Sequence, residues 1–310
     1  MKASQTEELI SLLADRWRVD RKKEIIDFTR KIVRINSSKY CDFNGNEFSF
    51  VSYNKTIRVT HLNFYKKTLS LELIKNLRKG KIDNIIKIIK TAPFCNKYIY
   101  YFPLVERLIA LISETKWPVQ FGFEVDQAGI PKFKFYISVF TMRNSYNNVK
   151  VMEVCDSLGI KGKKLKLLFD NESNFDVLGV DLINSGEYSF KIYKIYSSPF
   201  PISSISNIYR KYNKNSFSLV KHFFNQNIET LPIRHVGFLY RINKMSSIDS
   251  VKLWIRLAYP LDNNSFRYLF LNRSKRMYKW LNEVRKIVGL YNAEISYYSF
   301  EGDEIGVYFK

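Results

Sequence analysis

The sequence has 310 residues and carries 50 Lys plus Arg against 29 Asp plus Glu, a formal charge of +21 whose first suggestion is a nucleic-acid partner. Apolar residues make up 46% and charged residues 25%, which excludes intrinsic disorder, and 24 Phe with 21 Tyr imply a well-filled interior or an aromatic-lined site. Cys41, Cys95 and Cys155 lie far apart, with no CxxC and no Cys/His cluster. That spacing argues against a disulfide framework or structural zinc and for a reducing compartment.

In chain order, the N-terminal segment patterns as an amphipathic helix interrupted by charge and lacks the apolar stretch of a signal peptide. Helical periodicity covers Thr6–Trp17 and Lys23–Ile35, and alternating strands then flank a turn at Tyr53-Asn54-Lys55. Helices are expected again at Leu71–Arg78, Ile82–Lys90 and Pro103–Thr115, before a hairpin at Asp126-Gln127-Ala128-Gly129. Val149–Leu158 and Lys161–Phe169 precede a hairpin at Asn184-Ser185-Gly186. Ile202–Tyr212 and Ser216–Asn225 precede one spanning Asn243 to Ser247. Ser274–Val288 precedes the last, at Glu301-Gly302-Asp303. No run of 18 apolar residues occurs, so no membrane-spanning helix is expected and a cytoplasmic location is the default.

The last four turn centres recur about every 58 residues, a spacing that indicates repeated supersecondary units. The expected fold is therefore α+β: five ααββ repeats forming one domain over residues 1–310. The ten antiparallel strands would close into a barrel surrounded by helices. Closure removes the edges that an open ten-stranded sheet would expose.

Strand faces sort the chemistry. In Lys132–Val139, Phe133, Phe135, Ile137 and Val139 share the face expected under the helices. Lys132, Lys134, Tyr136 and Ser138 share the face expected to line a lumen. Ser250–Leu257 divides the same way, with Lys252, Trp254 and Arg256 inward. The predicted inward set is Glu47, Arg58, Lys134 with Tyr136, Lys191 with Tyr193, Lys252 with Trp254 and Arg256, and Tyr308. The first strands of the later hairpins align Gly122, Gly179, Gly237 and Ser296 on the lumen face, as though something there needs room or the chain bends. On that alignment Tyr298 shares the lumen face with Ser296. Cations converging in a closed lumen would repel one another unless an anion sits among them. A diphosphate is the economical candidate, and the adjacent aromatic rings would stabilise a carbocation and exclude water.

With this layout the sequence resembles the ABBA-type prenyltransferases, and in its middle segment, Gly122 to Tyr196, most nearly the cyanobactin-type peptide prenyltransferases. The resemblance implies an enzyme that moves an isoprenyl group from an allylic diphosphate, dimethylallyl or geranyl, to an electron-rich acceptor in a peptide (cyclic or linear) or a small aromatic molecule. It assigns Glu47 to acceptor deprotonation or orientation. Arg58, Lys134, Lys191, Lys252 and Arg256 would hold the diphosphate, and Tyr136, Tyr193, Trp254, Tyr298 and Tyr308 would shield the cation. His61 is a less favoured substitute for Arg58, because it falls on the opposite strand face. Ser189 stands where that family has a further cation, so Lys252 or Arg256 would take over. No DDxxD cluster is present; direct cationic binding carries the diphosphate, no cofactor is required, and Mg²⁺ is an optional auxiliary.

P-loop, GxGxxG, HExxH, GxSxG and EF-hand patterns are missing, and His61, His222 and His235 have no metal-site spacing. The basic runs Lys161–Lys166 and Arg21–Lys23 suit solvated helix faces. The alternative is a nucleic-acid-binding protein that presents its Lys-x-Tyr strands on an open sheet, where phosphates meet Lys and Arg and bases stack on Tyr.

Overall fold

The structure, a computed structural model, describes residues 3–35, 41–51, 56–65, 70–92, 98–112, 119–138, 152–161, 176–183, 185, 187–197, 207, 209–211, 233–243, 247–271, 275–291, 295–301 and 304–309. Helices α1 (Ala3–Trp17) and α2 (Lys22–Ile35) lead into β1 (Cys41–Val51) and β2 (Thr56–Tyr65). Helices α3 (Leu71–Thr91) and α4 (Phe102–Ile112) lead into β3 (Val119–Asp126) and β4 (Gly129–Ser138). Two hairpins follow, β5 (Val177–Ile183) with β6 (Tyr188–Ser197), and β7 (Ile233–Ile242) with β8 (Ile248–Leu257). Helices α5 (Asn263–Leu271) and α6 (Lys275–Gly289) precede the last pair, β9 (Ile295–Glu301) and β10 (Glu304–Phe309).

The ten strands among the described residues form a closed antiparallel barrel in which each pairs with its sequence neighbours and β1 pairs with β10. The helix pair of the ααββ unit is seen before three of the hairpins. The expected helices between β4 and β5 and between β6 and β7 lie mostly outside the described residues, apart from a short helix at 152–157 and helical residues near 210. The turn at Tyr53-Asn54-Lys55 also lies outside them.

The hairpin turns show why these residues reverse the chain. Asp126 Oδ1 accepts from the backbone N–H groups of Ala128 and Gly129 at 2.9 and 3.1 Å, and Gly129 adopts a φ of +130° that a side chain would strain. Asn243 Oδ1 accepts from both the backbone N–H and the hydroxyl of Ser247, closing the β7–β8 turn.

Two helix expectations are corrected. Leu71–Arg78 and Ile82–Lys90 are one continuous helix, because Ile74, Arg78, Ile82, Ile85 and Ile89 keep a single buried stripe through exposed Gly80. An exposed helical glycine costs about 1 kcal/mol relative to alanine, too little to break a packed face. Helix α5 was not expected at all. Asp262 starts it, its carboxylate accepting from Asn264 N and its carbonyl from Phe266 N, and Phe266 anchors it in the core.

The outward face of the barrel makes the core. Phe121, Phe123, Phe133, Phe135, Leu253 and Ile255 are buried there, as the alternation predicts. Phe28 of α2 packs on Phe123 and Phe133 with ring centroids 5.4 and 5.7 Å apart, and Tyr98 lies 4.4 Å from Phe133 while its hydroxyl donates to Ile130 O. These rings clamp the helical layer to β3 and β4, so the barrel keeps the curvature that shapes its interior. Phe133→Ala should therefore lower stability by about 3–5 kcal/mol, measured by urea unfolding; a loss below about 1 kcal/mol would show that the clamp is not a structural anchor.

Candidate active site

Alternation along the strands divides the lumen into two zones. Nearer the hairpin turns lies a belt of charge. Lys132 and Lys134 of β4 meet Glu124 of β3 at 3.4 and 2.5 Å, and Lys134 reaches Asp181 of β5 at 3.7 Å. Asp181 is also ion-paired and hydrogen-bonded to Lys191 of β6. Across β7 to β9, Glu301 takes Lys252 at 3.1 Å and Arg241 at 3.5 Å, and accepts from the Ser250 hydroxyl at 2.9 Å. Backbone register sets Lys191 opposite Arg241, which joins the two networks side by side.

One step farther along the same strands the lumen turns aromatic. Tyr136 and Tyr193 meet edge to face at 6.0 Å, and Tyr297 lies 6.1 Å from Trp254 and 6.0 Å from Tyr308. Belt and aromatic layer line one cavity of about 200 Å³. The order follows from sequence spacing: Lys134 precedes Tyr136, Lys191 precedes Tyr193 and Lys252 precedes Trp254 by two residues, one step on the same face.

Burial governs the electrostatics. Asp181 is 2% exposed, and burial alone would raise its carboxyl, yet Lys134 and Lys191 together outweigh that cost and hold it below the ordinary carboxylate range. Lys191 goes the other way. Burial, reinforced by the charge of Lys134, pulls its ammonium down to about 7 despite the opposing pull of Asp181. Glu301 falls to about 2, since Lys252 and Arg241 overcome its desolvation. Burial raises the Tyr193 phenol well above its usual value, so it stays neutral.

Lys134, Lys191, Lys252, Tyr136, Tyr193, Trp254 and Tyr308 all line the cavity. Glu47 and Arg58 stand in β1 and β2 at register positions opposite Thr60 and Glu124; their side chains lie outside the described residues. His61 is opposite Phe121, on the row of the outer face. Ser189 is opposite Asp181.

Two assignments are corrected. Tyr298 faces outward, paired in register with Ile255 and Val307 and buried in the helix-covered core. Its neighbour Tyr297 lines the cavity instead, and Ser299, opposite Trp254, takes the small lumen position expected of Ser296. With a two-residue period, a one-residue error in aligning the last hairpin inverts every face. Arg256 lies outside the cavity lining, its guanidinium over the Tyr297 ring at 5.2 Å.

The lumen cations have anions of their own. Glu124, Asp181 and Glu301 already sit among them, and two of these were legible: Glu124 and Asp181 each follow a lumen glycine by two residues. Five cationic and three acidic side chains line the cavity among the described residues, leaving an excess of two positive charges. No cluster of three His, Cys, Asp or Glu suited to a metal occurs among them, and the lumen carboxylates are engaged by ammonium or guanidinium groups.

The glycines make room for aromatic rings. A Cβ on Gly237 would fall 2.3 Å from the Trp254 indole, and one on Gly179 would fall 3.1 Å from the Tyr136 ring. Gly237→Ala should thus displace Trp254 and cost about 1–3 kcal/mol. Gly237→Ala combined with Trp254→Ala should cost less than the two separate losses added together. Strict additivity in urea unfolding would refute a direct steric coupling.

No protein-family model and no curated protein matches the sequence. Solved structures do match over nearly the whole chain. 5-Dimethylallyl tryptophan synthase from Streptomyces coelicolor, solved with DMASPP and Trp, shares 12% identity over 99% of this chain and 94% of its own, with a TM-score of 0.69. 6-Dimethylallyltryptophan synthase from Micromonospora olivasterospora, also with DMASPP and Trp, shares 13% over 100% and 97%, with a TM-score of 0.65. The apo form of prenyltransferase PriB shares 11% over 99% and 95%, with a TM-score of 0.71. The chain thus has the fold of the ABBA-type aromatic prenyltransferases.

Proposed function

We propose that this protein is a prenyltransferase that moves an isoprenyl group from an allylic diphosphate to an electron-rich aromatic acceptor inside the barrel. One observation carries the reading: a buried lysine belt stands one strand step from a wall of neutral aromatic rings in a single cavity. Ionisation of the allylic C–O bond leaves charge on the diphosphate and on the prenyl carbon at once, and the two zones suit those two charges. Lys134, Lys191 and Lys252, with Arg58 from β2, receive the departing diphosphate. Tyr136, Tyr193, Trp254, Tyr297 and Tyr308 surround the cation, stabilise it through their ring faces and exclude water. The acceptor attacks the cation, and Glu47 takes the proton that the new bond releases.

The finer assignments belong to the same proposal: residues 1–310 as one catalytic barrel, and a peptide as acceptor. The peptide choice rests on the resemblance of the segment Gly122 to Tyr196 to the cyanobactin-type enzymes. The nucleic-acid alternative required an open sheet. Closure instead turns the Lys-x-Tyr faces inward onto a cavity of about 200 Å³. No helix among the described residues is long and apolar enough to cross a membrane.

Dimethylallyl or geranyl diphosphate should raise the melting temperature, and Lys134→Ala with Lys191→Ala should abolish that rise. No stabilisation by either donor, together with salt-sensitive oligonucleotide binding, would overturn the reading. Because Lys191 titrates near 7 when the site is empty, a bound polyanion should restore its proton. Donor binding at pH 8 should take up a proton, seen as calorimetric heats that change with buffer ionisation, and affinity should weaken as pH rises through about 7. Glu47→Gln should keep donor binding and lose most turnover in a product assay; wild-type turnover would remove Glu47 from the proton transfer.

A further inference from the structure

The transfer outlined above gives no task to Glu124, Asp181 and Glu301, although each is partly or fully buried in the lumen. An ion pair in such a place is costly to form and is weak evidence of stabilisation, so its presence asks for a reason. The geometry supplies one. Lys134, Lys191 and Lys252 are each already held by a carboxylate: Lys134 by Glu124 at 2.5 Å, Lys191 by Asp181, and Lys252 by Glu301 at 3.1 Å. A diphosphate that takes these ammonium groups must share their N–H donors with the carboxylates or displace them.

We propose that Glu124, Asp181 and Glu301 are exchangeable counter-anions of the donor site, which compete with diphosphate for the same lysines and expel inorganic diphosphate after transfer. This inference rests on the proposed prenyl-transfer function. Before the donor arrives, the carboxylates keep the clustered cations from repelling one another in a low-dielectric lumen. Once diphosphate occupies the lysines, the carboxylates stand beside a polyanion and weaken its hold. After the prenyl group has left, they reclaim the ammoniums as inorganic diphosphate departs. No bond is made or broken in the exchange; only ion pairs trade partners. Protonated lysines with no competing anion would hold the leaving group more tightly.

The test compares wild type with Glu301→Gln and Asp181→Asn, using inorganic diphosphate as the probe in calorimetry and thermal melts. Each variant should bind inorganic diphosphate about tenfold more tightly, because an anionic competitor has been removed. Each should melt earlier without ligand and regain the bound wild-type melting temperature at saturating diphosphate. Multiple turnover should slow more than the single-turnover rate does. Wild-type or weaker affinity in both variants would overturn the counter-anion role, and so would an early melt that diphosphate does not restore. Glu301 is 18% exposed at its side chain, so Glu301→Gln carries the test if Asp181→Asn does not fold. The two levels separate cleanly. Wild type that binds no diphosphate refutes the donor site itself, whereas wild type that binds, with no tightening in the variants, refutes only the counter-anions.

Discussion

The ion-pair belt inside the barrel is the constraint on which the rest of the structure depends. Five cationic side chains enter a lumen of about 200 Å³ with three carboxylates, and both signs are desolvated by the same walls. Bare lysines at this density would shed their protons, and bare carboxylates would gain them. Interleaved, Asp181 stays ionised between Lys134 and Lys191, and Glu301 stays ionised between Lys252 and Arg241. The lumen is therefore polar and charged while each of these ions keeps a partner. That combination suits chemistry in which an anion leaves and a short-lived cation must not meet water.

Barrel closure makes the belt possible, and the helical layer holds the closure. Phe28, Tyr98, Phe123 and Phe133 interlock outside the same strands that carry Glu124, Lys132 and Lys134 inside. A strand is thus a two-sided element: one face is core and the next residue is site. Room for the bulky inward rings comes from glycine on the neighbouring strand, Gly237 under Trp254 and Gly179 under Tyr136. The glycines are structural partners of the aromatic layer, and the space they free is filled by protein.

The charge of +21 has a divided meaning. A few cations line the lumen, each beside a carboxylate, while most of the surplus lies elsewhere. Net charge is a statement about the exterior and its long-range field. The candidate chemistry depends on position, where local charges nearly balance.

Alternation, turn residues and the recurrence of hairpins were enough to determine from the sequence alone a barrel with Phe133, Leu253 and their neighbours outward and Lys134, Lys191 and Tyr193 inward. These are local properties: a two-residue period assigns a face wherever the strand is regular. The N-cap at Asp262 is equally local, as is the isoleucine stripe that carries α3 through Gly80. The tertiary structure decided which inward residues meet. Glu124, Asp181 and Glu301 come from three different strands, and their pairing with lysines depends on register between strands, which composition does not encode. It also decided Tyr297 over Tyr298 and parted Arg256 from the belt, because a register shift near the end of β10 and the length of β8 set depth in the lumen. Faces are written in the order of residues along one strand; distances across the barrel exist only once all the strands have closed.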